Sequence, residues 1–171
     1  MNIVNKMETG VFMNEEHSAL KNHFLKIFRH MKWADISVLN LLEKQNIREE
    51  KVVELISHIV ISEDTCYKRI TNEYYENRFW DILSIEECKR IVEQTSSKYM
   101  KYILALPEND FQKKISYKNS KGVDYTTSVE DLLTHVVFHG IYHRGQIMLL
   151  MRGSGKDVVA TDYAMYMREH E

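Results

Sequence analysis

One proline in 171 residues, Pro107, is the feature that most constrains what this chain can fold into. Proline breaks a helix interior by removing an N–H and clashing with the preceding turn, and glycine weakens one by about 1 kcal/mol relative to alanine. Four of the six glycines fall between positions 140 and 155, so long uninterrupted helices are permitted almost everywhere else. From Leu20 the apolar residues Phe24, Ile27, Met31, Ala34, Val38 and Leu41 recur at alternating steps of four and three. That spacing is the seam of a helix packed nearly parallel or antiparallel to others, and it predicts a first helix from Asn14 to Gln45.

A second helical pattern begins near Arg48, with Glu49 and Glu50 in its first turn. It carries Val52, Leu55, Ile59, Cys66 and Ile70 on one stripe and fades around Tyr75 to Asn77. Ser84 with Glu87 three residues later resembles a capping box, opening a third helix that runs to Leu106 before Pro107 stops it. Between Phe111 and Thr127, Ile115, Tyr117, Val123 and Tyr125 flank an Asn119-Ser120-Lys121-Gly122 turn, the pattern of a short hairpin or extended crossover. Ser128 caps a fourth helix from Val129 to about Arg152, with Gly153 and Gly155 as its left-handed stop. The tail beyond carries Tyr163, Met165, Tyr166 and Met167, enough apolar surface to dock on the rest. The expectation is an all-α four-helix bundle in one domain spanning 1–171, with a core over about 14–152 and the tail 153–171 docked on it.

Composition narrows the function classes. The 23 Lys and Arg against 25 Asp and Glu leave a net charge of -2, with both signs interspersed, which argues against nucleic acid or an anionic membrane as partner. Cys66 and Cys88 form no CxxC or zinc-finger pattern and lack electropositive neighbours, so they read as free, buried, small apolar residues. No secretory or transmembrane stretch is evident, and a cytoplasmic setting is expected.

The chemistry concentrates on the fourth helix. His135, His139 and His143 stand at i, i+4 and i+8, successive members about 40° apart around the axis and about 6 Å apart along it. An i, i+4 pair of imidazoles can close on one metal ion, whereas the outer two, about 12 Å apart, cannot both reach it. The pair is therefore His135 with His139 or His139 with His143. Leu132, Val136, Ile147 and Leu150 share the face of His139, so the pair points at the core, where two unpaired imidazoles would be costly and a divalent ion would satisfy both. A third ligand must come from another helix: His17, His23 or His30 on the first, His58 on the second, or a carboxylate. Ordinary core histidines hydrogen-bonded to carbonyls are the competing reading.

The string His139-Gly140-Ile141-Tyr142-His143-Arg144-Gly145-Gln146 resembles the signature of the damage-inducible DinB family. His135 matches an extra histidine of one branch, and Trp33-Ala34-Asp35, Leu55 to Ile59 and Thr161-Asp162 also fit the family. Val158-Val159 stands where relatives often carry prolines, a departure that bears on the fold of the tail. The resemblance implies an up-down-down-up bundle, often a homodimer, with zinc or nickel held by His58, His139 and His143. It leaves His135 as a supporting or entrance residue, or an alternative ligand.

Three histidines leave a metal position open, the pattern of a catalytic ion, at which water or a thiol can be activated. By the same resemblance the expected activity is transfer of a low-molecular-weight thiol of the bacillithiol type to an electrophilic substrate. The alternatives are a metal-dependent hydrolase, a stress-induced protein that binds a metal or small molecule without turnover, or a structural dimer. Arg144 is expected to pair with Asp35 or Asp162, Gly145 to permit close helix approach, and Gln146 to bond across the bundle. Glu63 is a candidate base or ligand support, and Tyr99, Met100, Tyr102, Met148 and Met151 are candidates for either core or dimer face.

Overall fold

The computed structural model describes residues 18–119 and 121–170. Helices α1 (Ala19–Lys44), α2 (Glu50–Thr71) and α3 (Ile85–Ala105) are followed by a 3-10 turn (Glu108–Gln112). Strands β1 (Lys114–Lys118) and β2 (Asp124–Ser128) then lead into α4 (Val129–Gly153) and a terminal α5 (Tyr163–His170). Serines start three of these helices by satisfying a free backbone N–H. The Oγ of Ser18 accepts from Lys21 N at 3.2 Å and that of Ser128 from Asp131 N at 3.1 Å, while Ser84 and Glu87 form the expected capping box. The stretch 14–17 expected to begin α1 lies outside the described residues.

The helix ends share one device. Asn46, Asn72 and Gly155 adopt positive φ of 50°, 58° and 70°. Each is followed by a six-to-one backbone bond: Ile47 N to Leu42 O at 2.9 Å, Glu73 N to Lys68 O at 2.8 Å and Lys156 N to Met151 O at 2.9 Å. Asn72 thus halts α2 before the expected Tyr75, because asparagine tolerates the left-handed conformation better than other non-glycine residues. Gly153 stays inside α4, so Gly155 alone supplies the left-handed stop there.

Two apolar halves fix the topology. At one end Phe24 and Phe28 meet Cys66 and Ile70, Tyr99 and Ile103, and Val129 and Leu133. At the other, Val38 and Leu42 meet Val52 and Leu55, Cys88 and Val92, and Ile147 and Met151. The start of α1 therefore lies beside the ends of α2 and α3 and the start of α4, which is an up-down-down-up bundle. Helix α1 packs chiefly on α3, and α2 on α4. The antiparallel hairpin runs in register from Lys114 opposite Ser128 to Lys118 opposite Asp124 and feeds directly into α4. Tail helix α5 rests on α1, where the rings of Trp33 and Tyr166 sit 5.6 Å apart and His30 Nε2 donates to Thr161 O at 2.8 Å. Tyr99 and Met151 are core residues, and Met100, Tyr102 and Met148 are partly buried against the core.

Between the apolar halves sits a buried charge cluster. Arg144 of α4 donates through Nη1 to Asp35 Oδ1 of α1 at 2.6 Å, with both side chains essentially inaccessible. Glu63 of α2, 2% exposed, lies within hydrogen-bonding reach of Asp35. Burial, and then the neighbouring Asp35, push Glu63 well above the usual carboxylate range. The protonated form of Glu63 is thereby favoured, and with it a cluster in which one cation faces one anion. Gly140 makes the arrangement possible, since a Cβ there would stand 2.8 Å from Arg144 Nη1 and 3.3 Å from Glu63 Oε1. Among the described residues no other helix of the same chain approaches Gly145, since nothing lies within 4 Å of a Cβ at that position.

Removing one partner of a buried ion pair strands the other, which costs about 3–5 kcal/mol. Urea unfolding of the metal-free protein should show a loss of that size for Asp35→Leu and for Arg144→Met. The double substitution Asp35→Leu with Arg144→Met should lose less than the sum of the two. Single losses under about 1 kcal/mol would contradict a structural role for the cluster.

Candidate metal centre

Helices α2 and α4 run antiparallel and side by side, and this brings His58 opposite His139 and His143. His58 is buried, and its Nδ1 lies 2.8 Å from the carbonyl oxygen of Phe79 in the α2–α3 connection. A carbonyl can only accept, so Nδ1 carries the proton and Nε2 is left as a bare lone pair. His143 is fixed in the same way on its own helix, where Nδ1 lies 2.7 Å from Gln146 Oε1. Gln146 therefore serves the adjacent histidine rather than bonding across the bundle. His139 places Nε2 at 3.2 Å from His58 Nε2, and its buried Nδ1 has no partner among the described residues.

One ring nitrogen from each of His58, His139 and His143 falls within 4.8 Å of the others, so the three could hold a metal ion. Two nitrogens on one tetrahedral ion, each about 2.0–2.1 Å from it, are themselves about 3.3 Å apart, close to the spacing of the His58 and His139 nitrogens. Electrostatics favour the ligand form. Burial, and then His143, His58 and His135, push His139 down to about 3, and burial lowers His58 as well. At neutral pH both are uncharged and offer lone pairs rather than repelling a cation.

The other histidines stand apart. His135 is exposed, with its ring 5.6 Å from that of His139, and it belongs to the cleft wall rather than to the three-nitrogen cluster. His23 and His30 line an apolar cavity between α1, α4 and α5, and His17 lies outside the described residues. Glu63 is engaged with Asp35, so no carboxylate joins the three imidazoles.

The centre opens into a cleft of about 240 Å³ whose lining includes His58, His139, His135, Trp80, Tyr117 and Arg69. Trp80 stacks on His58 with centroids 4.0 Å apart and planes 6° from parallel. Sequence reasoning gave Phe79 and Trp80 no role. The adjacent aromatic pair between two charged residues, Arg78-Phe79-Trp80-Asp81, was the available signal. Cys66 also lines the cleft, and burial raises its thiol to about 11, so it stays protonated. No helix among the described residues is long and apolar enough to cross a membrane.

The DinB family profile matches residues 20–171. Protein DinB of Bacillus subtilis (strain 168) is 26% identical over 164 residues, covering 83% of this chain and 92% of that protein. With the profile spanning most of its length, and with the bundle and the histidine cluster in place, the chain belongs to the DinB family.

Proposed function

We propose that this chain is a zinc- or nickel-dependent transferase that moves a low-molecular-weight thiol onto an electrophilic carbon in a reducing cytoplasm. The observation that carries the reading is the cluster of three imidazoles, two of which, His58 and His139, line an open cleft. Three protein ligands leave a coordination position for an exogenous group. A divalent ion held there would lower the pKa of a thiol and supply thiolate at neutral pH. In the transfer the thiolate sulfur forms a bond to the electrophilic carbon, the leaving group departs with its bonding electron pair, and the thiol proton passes to solvent.

The chain's own residues do the positioning. The Phe79 carbonyl and Gln146 hold His58 and His143 in the tautomer that turns Nε2 inward, while Trp80 covers the outer face of His58. Cys66, the cysteine in the cleft, is held as a neutral thiol by burial, which favours a nucleophile from outside the chain. Zinc-loaded protein given a small thiol and monochlorobimane should form the fluorescent thioether faster than the uncatalysed reaction. The gain should vanish in chelator and in His139→Ala. Hydrolysis of an activated ester without thioether formation would favour a hydrolase instead, and neither activity would favour a protein that only binds its metal.

A homodimer is part of the same proposal. Phe138, Tyr142 and Leu149 are exposed by 65%, 65% and 68% on α4, with Gly145 between them opening the surface further. Such a stripe suits a self-complementary face around a two-fold axis. Light scattering should give a dimer for the wild type and a monomer for Leu149→Glu, and a monomeric wild type would rule the dimer out.

A further inference from the structure

The cleft beside the three imidazoles contains one permanently charged side chain, and its sign is positive. Arg69, half-buried near the end of α2, lines the wall together with Phe79 and Tyr117. Its guanidinium lies 4.7 Å from the ring centre of Tyr117, 5.2 Å from that of Tyr75 and 5.3 Å from that of Phe79. Nε donates to Tyr75 Oη at 3.2 Å and Nη2 to the Lys118 carbonyl at 3.3 Å. These contacts draw on α2, the α2–α3 connection and the hairpin, and they fix the fork in place with part of its donor set unused. Among the described residues no carboxylate pairs with Arg69, and no aspartate or glutamate lines the cleft. In a chain whose overall charge is -2, this wall is locally cationic.

A guanidinium held by rings but unpaired with an anion is preorganised for a carboxylate, which its planar fork can bind through two parallel hydrogen bonds. We infer that Arg69 is the anchor for a carboxylate on the ligand whose other end reaches the three-histidine centre. This deepens the transferase reading and rests on it for the identity of that other end. Spacing sets the ligand's size. Arg69 lies eleven residues beyond His58 on α2, about 16 Å of helix rise, of which the arginine's own length spans part. A two- or three-carbon thiol is too short to bridge the two ends, whereas a peptide- or glycoside-sized thiol with a terminal carboxylate spans them. The aromatic walls of Phe79, Trp80 and Tyr117 would flank its middle.

The pair of probes that isolates the charge is glutathione and its diethyl ester, alike in thiol and backbone but with the carboxylates capped in the ester. Calorimetry on the zinc-loaded protein should show glutathione binding about ten- to a hundredfold tighter than the ester, the worth of a charged hydrogen-bonded contact. Arg69→Gln should erase that preference while leaving ester affinity and zinc content unchanged, and Arg69→Lys should keep part of it. No preference in the wild type, or equal weakening of both probes in Arg69→Gln, would overturn the inference and leave Arg69 as a clasp for the aromatic rings. S-methylglutathione and its own diethyl ester repeat the comparison without a free thiol on metal-free protein. Failure of zinc to bind would therefore count against the metal reading alone, while the S-methylglutathione arm would still decide the role of Arg69.

Discussion

Burying the Arg144 guanidinium against Asp35 commits three helices to one relative placement. A buried charge that loses its partner is penalised by several kcal/mol, so α1 cannot slide along α4 without separating the pair, and Glu63 extends the same constraint to α2. The cluster lies at the joint between two apolar halves that could otherwise tolerate a shift in packing. Arg144 directly follows His143, and Glu63 lies five residues beyond His58. The alignment that satisfies the buried charges is thus the one that sets His58 across from His139 and His143. Gly140, between the two α4 histidines, leaves the space the guanidinium fills. Spacing along α4 therefore serves two faces at once, imidazoles toward the cleft and the arginine toward α1.

The second layer of control is tautomeric. Three imidazoles bind one ion only if each turns an unprotonated nitrogen toward it. The chain secures this for two of them by giving Nδ1 an acceptor: a backbone carbonyl for His58 and an amide oxygen for His143. His139, pushed down to about 3, stays neutral because burial and the neighbouring imidazoles disfavour a charge there. The acceptor for His58 comes from the α2–α3 connection, so a segment without regular structure still shapes the centre. The same segment supplies Trp80, stacked on the ring it helps to hold.

Much of this was legible in the sequence, for identifiable reasons. A single proline and the three-four apolar spacing from Phe24 to Leu41 give the helices, and Ser84, Ser128 and Asn119 mark caps and a turn through their own side-chain hydrogen bonds. The end of α2 was less legible, because the left-handed conformation of Asn72 depends on a local choice that apolar periodicity does not register. On α4 the spacing limits the pair to two options, and the resemblance to the DinB family, rather than geometry, named His58 and His143. The roles of Phe79, Trp80 and Arg69 could not be read, since they arise from a connection folding back over α2 and from rings that gather around a cation only in three dimensions. Gln146 was misassigned because helical spacing fixes which residues are neighbours on a surface and not which of them bond.

The central claim is that His58, His139 and His143 together hold one divalent ion. Elemental analysis of protein purified without a histidine tag tests it most directly, alongside His58→Ala and His139→Ala, both verified as folded by circular dichroism. The account predicts about one equivalent of zinc or nickel per chain in the wild type and its loss in each variant. A wild type that takes up no metal after incubation with excess zinc, or variants that retain a full equivalent, would contradict it.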